Sequence, residues 1–232
     1  MTELPSFRPL PDPAGLAAPD RVYAELRARI LAFDLPPGTT LSRADLVETY
    51  GVSQSPIREA LQRLRDEGLV LIYPQSRTVV SRIDMRQLFE TQFLRVAVET
   101  EVVRRLAGDQ TALRQAQTLV DMQKALVEAP DALPMFTELD RSFHQHLFQS
   151  VGMGGLFGMV QARLGHLARC QRLELPLKGK MQTILRDHQA ILDALGAGQP
   201  DQAAEAMRTH LSGTISRVEA LRAEHPDYFT QG

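Results

Sequence analysis

The sequence lacks the features of a disulfide-held or membrane-spanning protein. Cys170 is its single cysteine, so no intrachain disulfide can form. No apolar run approaches the roughly 20 residues that a membrane-spanning helix needs. The N-terminal residues MTELPSFRPLPDPAG also lack the apolar core of a secretory signal. These absences predict a soluble, cytoplasmic protein that has no membrane partner.

Charge of one sign is also scarce, since 26 basic and 28 acidic residues give a net charge of −2. This balance argues against coating nucleic acid through a broad basic field. Any contact with DNA would therefore depend on a few arginines at specific positions in the fold. With 232 residues, 44% of them hydrophobic, the chain has room for two small domains or one large one and is too apolar to be disordered.

Proline is concentrated at one end of the chain, and residues 1–19 hold five of the fourteen prolines. This composition predicts a flexible Pro-rich arm. From Asp20, apolar residues recur at spacings of three and four as far as Phe33, which predicts a first helix with Asp20 as its N-cap. The helix is expected to end before Pro36.

Two further helices and a hairpin are predicted next. Ser42 and Ser53 are the expected N-caps of the two helices. Leu69–Tyr73 and Thr78–Ile83 are short and rich in Val, Ile and Leu, which is typical of paired strands. Three helices and a β-hairpin within residues 20–83 indicate a winged helix-turn-helix.

In such a motif, the N-terminal residues of the third helix face base edges and phosphates. Gln54 suits adenine and Arg58 suits guanine, because both pairs form two hydrogen bonds. Arg77, at the hairpin tip, would reach a minor groove or a backbone phosphate. The predicted DNA-binding residues are Arg43, Ser53, Gln54, Ser55, Arg58 and Arg77. The alternative is a helical packing module that carries surface arginines.

After Asp84 the pattern predicts helices alone. The first carries the apolar residues Leu88, Phe89, Phe93, Val96 and Val103. Amphipathic stretches follow at about 111–128, 133–150, 154–173, 180–196 and 200–223. Short breaks containing Pro, Gly or Asp indicate an antiparallel bundle over residues 84–225, with 226–232 as a C-terminal tail. The predicted fold class is mainly α: an N-terminal winged helix-turn-helix followed by an all-helical, six-helix antiparallel bundle.

Four side chains in the helical half have the chemistry of a metal site. Asp140 and His144 are four residues apart, so they share one helix face. His188 precedes the last interhelical turn by about eight residues and His210 follows it by about ten. At about 1.5 Å per residue, both lie some 12–15 Å along an antiparallel pair. Three imidazoles and a carboxylate suit zinc, nickel, manganese or iron better than calcium.

The alternative for each of these histidines is a core residue whose hydrogen bonds are satisfied. His146 is interpreted as a surface residue, because it points away from His144. His166 and His225 are interpreted as structural or solvated. Cys170 is expected to be a packed small residue, since no second cysteine accompanies it.

The run VSQSPIREALQRLRDEGLV, within a longer match that extends to Ile83, resembles the DNA-binding domain of the GntR family of bacterial transcription regulators. The resemblance implies a winged helix-turn-helix that binds operator DNA. The chain departs from the family pattern at Gln54, where members usually have Arg, and at Arg77, where the wing usually has Gly. The first departure predicts a changed base preference, and the second predicts an altered wing or an added phosphate contact.

The second half is similar to the FCD ligand-binding domain of FadR-type GntR regulators. The match rests on Asp140-x-x-Phe143-His144, on Asp187-His188 and on Met207-x-x-His210. The resemblance implies that Asp140, His144, His188 and His210 hold a divalent transition metal, with zinc as the first choice.

Leu94-Arg95-x-x-x-Glu99 matches a run whose arginine, in the family, faces the cavity and holds an acidic ligand. A guanidinium suits a carboxylate because it can donate two parallel hydrogen bonds. The alternative for Arg95 is an i,i+4 ion pair with Glu99. Arg169 and Arg172 are weaker candidates for contact with the same ligand.

Together these features predict a homodimeric repressor, not an enzyme. It would bind a palindromic operator and release it when a small carboxylate binds beside the metal. Two alternatives stay open. One is a metal-dependent, hydrolase-like enzyme with an N-terminal docking module, because an Asp/His₃ site can activate water. The other is a regulator whose metal is purely structural.

Overall fold

The computed structural model describes residues 16–74, 76–129 and 132–231. Most of the predicted Pro-rich arm lies outside these ranges. The chain divides into two compact units. The first consists of the described residues up to Met85 together with those from His225 onward, and the second is Arg86–Glu224. Within the described ranges, no helix has the length and apolar character needed to cross a membrane.

The first unit is a winged helix-turn-helix, as predicted. Its elements are α1 (Ala18–Leu31), β1 (Thr40–Leu41), α2 (Arg43–Tyr50), α3 (Gln54–Asp66), β2 (Val70–Ile72) and β3 (Thr78–Val80). The strands form one antiparallel sheet in the order β1-β3-β2. Strand β1 was not predicted, because two residues are too few to show strand alternation.

The predicted apolar face of α1 is buried in the core of this unit, but both of its predicted ends need correction. The helix begins at Ala18, so Asp20 is not the N-cap. It lies in the first turn, where its carboxylate pairs with Arg63 at 2.6 Å. Phe33 lies beyond the helix with a φ of 64°, a left-handed conformation that a bulky residue rarely adopts.

The two predicted serine caps differ in the structure. Ser42 caps α2, because its hydroxyl accepts a hydrogen bond from the Asp45 amide at 3.3 Å. Ser53 occupies the N-cap position of α3 but makes no side-chain capping bond.

The C-terminal segment, residues 225–230, belongs to the first unit. The Ile83 amide donates to the Tyr228 carbonyl at 2.7 Å, and the Thr230 amide donates to the Ile83 carbonyl at 3.0 Å. Phe229 is 1% exposed, and the Tyr228 ring stacks on Phe33 with centroids 5.0 Å apart. The segment predicted as a tail therefore docks on this unit, with an isolated parallel bridge between Phe229 and Ile83 and with the Phe229 side chain buried.

The second unit is helical throughout its described residues. Two of the six predicted helices are interrupted: the one at 154–173 by a turn at Ala162–Leu164, and the one at 200–223 by a turn after Ile215. Its elements are α4 (Met85–Leu106), α5 (Gln110–Leu126), α6 (Leu133–Ser150), α7 (Gly154–Gln161), α8 (Gly165–Glu174), α9 (Lys180–Gly196), α10 (Pro200–Ile215) and α11 (Val218–Glu224).

Helix α5 packs against α6 and α9, and α9 packs against α10. These contacts bring together the helices that carry the predicted metal ligands. On α4, Leu88 and Val103 are buried, whereas Phe89 and Phe93 are 46% and 79% exposed. The apolar pattern therefore identified α4 correctly, although not all of its apolar residues lie in the core.

Candidate metal centre and DNA-contacting surface

Asp140, His144, His188 and His210 converge in the second unit. They come from α6, α9 and α10, and one ligand atom from each lies within 4.8 Å of all the others. His144 Nε2 is 3.2 Å from His210 Nε2, and His188 Nε2 is 3.4 Å from Asp140 Oδ1. The four residues that the sequence predicts as metal ligands thus place potential ligand atoms around one point.

These separations fit a single transition-metal ion. Metal–nitrogen bonds of about 2.0–2.1 Å place neighbouring ligand atoms about 3.0–3.4 Å apart, and opposite ones about 4.2 Å apart. The observed separations of 3.2 and 3.4 Å lie in the first range. Small side-chain adjustments would bring the whole set, which spans up to 4.8 Å, around one ion.

The electrostatic setting also suits a cation. Burial, followed by the nearby charges of His144 and Arg95, holds the pKa of His188 well below its usual range. Burial and the neighbouring histidines do the same to the pKa of His210. Burial raises the pKa of Asp140. Neutral imidazoles offer lone pairs, and the partly buried carboxylate of Asp140 is a negatively charged ligand when ionised, so a bound cation suits both.

Two residues outside the predicted set contact the Nδ1 atoms of the ligand histidines. His144 Nδ1 lies 2.5 Å from Glu99 Oε2. His188 Nδ1 lies 2.9 Å from Gln123 Oε1, and Gln123 is completely buried. The sequence analysis missed Gln123, although one signal was available. It continues the buried stripe of Ala112, Ala116 and Val120 on α5, where a polar residue is unexpected.

The predicted ion pair between Arg95 and Glu99 is present and buried. The Arg95 Nε donates to Glu99 Oε1 at 2.7 Å, and the two side chains are only 6% and 3% exposed. Burial opposes ionisation of Glu99, but the charges of Arg95 and then His144 outweigh it, so the pKa of Glu99 is held well below its usual range. The charge of Arg95 also acts on Asp140, His188 and His210, so the residue lies near the cluster.

The weaker ligand candidates, Arg169 and Arg172, are on α8, which supplies none of the four clustered residues. Arg169 is completely buried, and it contacts His166 Nδ1 at 3.0 Å and the Gly165 carbonyl at 3.3 Å. Arg172 is partly exposed. These two contacts of Arg169 lie within its own helix.

The remaining histidines and the cysteine lie outside the four-residue cluster. His146 is 8% exposed, and its Nε2 is 2.8 Å from the Ala112 carbonyl, so its interpretation as a surface residue is wrong. Helix α5 covers that side of α6. His166 is buried, and His225 stacks on Tyr228. Cys170 is completely buried, as expected.

The predicted DNA-contacting residues form an exposed set on the first unit. Arg43 opens α2, and Ser53, Gln54, Ser55 and Arg58 lie at or near the start of α3. Within the described part of the chain, Arg43 and Arg58 make no ion pair. Arg77 is exposed in the hairpin loop, with its guanidinium carbon 5.3 Å from the centre of the Tyr73 ring. These side chains are accessible to a nucleic acid.

Comparison with known proteins gives consistent matches along the chain. Residues 19–80 match "Bacterial regulatory proteins, gntR family", and residues 89–213 match the FCD domain. An HTH-type transcriptional regulator in unstable DNA locus, from Streptomyces ambofaciens, is 34% identical over 90% of this chain and 88% of its own length. The HTH-type transcriptional repressor RspR of Escherichia coli K12 is 30% identical over 91% of this chain and 93% of its own length.

Among solved structures, E. coli McbR/YncC matches with a TM-score of 0.72 at 22% identity. The match covers 89% of this chain and 99% of that one. At this identity the likeness establishes the fold alone. The relatives named above are transcription regulators, so they give no support to the hydrolase-like alternative.

Proposed function

This chain belongs to the gntR family of bacterial regulatory proteins and carries an FCD domain. We propose that a metal ion and a small carboxylate control its affinity for operator DNA. Members of the family are DNA-binding transcription regulators. The proposed mode of action is repression, with release of the DNA when the carboxylate binds. The convergence of Asp140, His144, His188 and His210 is the observation that carries this proposal.

DNA binding is assigned to the exposed residues at the start of α3, together with Arg43 and Arg77. Gln54 and Arg58 would read bases in the major groove, and Ser53 and Ser55 would contact phosphates. Arg77 would add a contact through the wing. One winged helix-turn-helix reads a short half-site, so the protein is proposed to act as a homodimer on a palindromic operator.

The metal is proposed to be zinc, with nickel, manganese or iron as alternatives. Three neutral imidazoles and a carboxylate are donors that suit these ions. When bound, the ion would supply Lewis acidity and free coordination positions for an oxygen ligand. The four residues lie on α6, α9 and α10, so a bound ion would link three helices at this point.

Arg95 is proposed as the anchor for the carboxylate. Its Nε is used by Glu99, whereas its terminal nitrogens make no hydrogen bond within the described part of the chain. Those nitrogens can therefore donate to a ligand carboxylate. Because α4 carries Arg95 and follows directly after the DNA-binding unit in the chain, the bound ligand would bias an existing equilibrium of that unit.

The test measures fluorescence anisotropy on an operator duplex obtained by selection, with zinc-loaded protein and a panel of small mono- and dicarboxylates. Release by at least one acid is expected for the wild type. Arg95→Gln should keep zinc content and operator binding but lose the release. Arg104→Ala, which removes an exposed arginine from the same helix, should respond as the wild type does.

Two results would revise the proposal. A chelated protein that still releases DNA in response to the acid would show that the metal is structural. A normal response of Arg95→Gln would move the anchor elsewhere, and Arg169 and Arg172 would then be tested.

A further inference from the structure

We propose that Glu99 and Gln123 are positioning residues that orient two of the three metal-binding imidazoles, and that His210 is the ligand without such an anchor. This inference rests on the metal site proposed above. Two of the three imidazoles are oriented by a partner at Nδ1 and the third is not, so the three histidines are expected to contribute unequally to metal affinity.

Gln123 sets the tautomer of His188. A neutral imidazole has one N–H and one lone pair, and the amide oxygen of Gln123 can only accept a hydrogen bond. The contact of 2.9 Å between Gln123 Oε1 and His188 Nδ1 therefore places the proton on Nδ1. This leaves the lone pair on Nε2, the atom that lies 3.4 Å from Asp140.

The ring of His188 is also held in its plane. Phe143, which is completely buried, stacks on it with centroids 4.1 Å apart and an angle of 20° between the rings. Gln123 fixes one nitrogen of the ring and Phe143 fixes the ring plane. The lone pair of Nε2 is therefore held in a single direction.

Glu99 plays the corresponding part for His144. Its Oε2 lies 2.5 Å from His144 Nδ1, while Arg95 holds its other oxygen at 2.7 Å. The carboxylate is thus fixed between a guanidinium and an imidazole. A carboxylate partner of this kind directs the ring and makes the metal-binding nitrogen more basic.

His210 has no comparable partner. Its Nδ1 is buried and, within the described part of the chain, has neither a hydrogen bond nor an ion-pair contact, whereas His144 Nδ1 has the ion-pair contact with Glu99. The ring is oriented by packing on the other two imidazoles, with centroids 5.2 Å from His144 and 4.6 Å from His188. Asp140, His144 and His188 therefore form a fixed set, and His210 closes the site from α10.

The experiment measures zinc affinity of the full-length protein by competition with a chromophoric chelator. Gln123→Met removes the acceptor at constant size and should weaken zinc binding by about 10–100-fold, as loss of an outer hydrogen bond to a ligand usually does. Gln123→Glu keeps an acceptor for His188 Nδ1 and should retain at least the wild-type affinity. Gln117→Met, a matched change on the same helix, should have no effect.

A spectroscopic readout separates positioning from general packing. In the metal-free protein, nitrogen NMR of the histidine rings should find the Nδ1–H tautomer of His188 in the wild type and in Gln123→Glu. Gln123→Met should lose that preference while its thermal unfolding in the metal-free state stays close to the wild type.

The third comparison concerns His210. His188→Ala and His210→Ala each remove one imidazole, and we expect the second to weaken zinc binding less. Equal losses, or unchanged zinc affinity in Gln123→Met, would overturn the positioning inference while leaving the metal site in place. A wild-type protein that binds no zinc in this assay would instead overturn the proposed metal site, and the positioning roles with it.

Discussion

The C-terminal segment offers a direct test of the structure through Phe229→Ala. Phe229 is 1% exposed, and it lies between two backbone hydrogen bonds that join residues 228 and 230 to Ile83. We expect the substitution to lower the free energy of unfolding of the DNA-binding unit, because it empties a site that the end of the chain fills.

The magnitude follows from burial. Truncation of a buried phenylalanine to alanine usually costs about 3–5 kcal/mol. The two backbone hydrogen bonds each contribute about 0.5–1.5 kcal/mol if the segment detaches. Since the segment is terminal, it can detach as a whole, and the loss cannot exceed its docking free energy. Phe229→Ala and deletion of residues 225–232 should therefore destabilise the unit by similar amounts, about 3 kcal/mol or more.

The chain provides its own probe for this measurement. It has four tyrosines and no tryptophan. All four tyrosines, at positions 23, 50, 73 and 228, belong to the DNA-binding unit. Tyrosine fluorescence during urea unfolding therefore reports on that unit alone, whereas far-ultraviolet circular dichroism is dominated by the helices of the other unit.

Asp227→Ala is the matched control, because it changes an exposed residue of the same segment. It should alter the free energy of unfolding by less than about 0.5 kcal/mol. If Phe229→Ala changes the tyrosine-monitored unfolding no more than this control, the segment is not docked in solution and the reasoning is refuted.

Three other outcomes are expected. Arg58→Ala should weaken the free energy of operator binding by about 1–3 kcal/mol, as measured by fluorescence anisotropy. Arg65→Ala, which removes an exposed arginine at the far end of α3, should have little effect. Equal losses in the two variants would contradict a base-reading role for Arg58. Burial raises the pKa of Cys170 to about 12, so the native protein should not react with a thiol reagent at pH 8 and should react after denaturation; rapid native labelling would disprove the packing. Removal of zinc should lower the melting temperature of the helical unit, because an ion present at 100 times its Kd stabilises the folded state by about 2.7 kcal/mol; an unchanged melting curve would argue against tight binding.

The sequence predicted the features that depend on helical periodicity. Asp140 and His144 share a face at a spacing of four, and His188 and His210 lie at similar distances from one turn. Helix geometry therefore paired the residues two by two, and the resemblance to the FCD domain implied that the two pairs share one metal site. The buried core of α1 followed from the same period.

The features that the sequence did not predict depend on contacts between distant parts of the chain. Gln123 bonds to His188, which is far along the sequence, and an amide on a helix carries no motif. Strand β1 becomes a strand only by pairing with β3. The burial of His146 depends on α5 lying over that side of α6, and no pattern within α6 indicates which neighbour covers it.

The ligands of the proposed metal site are spread over three helices, and this has a consequence for how the helical unit is held together. A bound ion would join Asp140 and His144 to His188, and His188 to His210, closing two loops of the folded chain. A disulfide persists when the chain unfolds, whereas an ion held only by the assembled site would leave, so its stabilising effect would depend on the free metal concentration. With a single cysteine, the chain cannot form a permanent cross-link of the disulfide kind. The ion would serve as a removable cross-link, present only while metal is supplied.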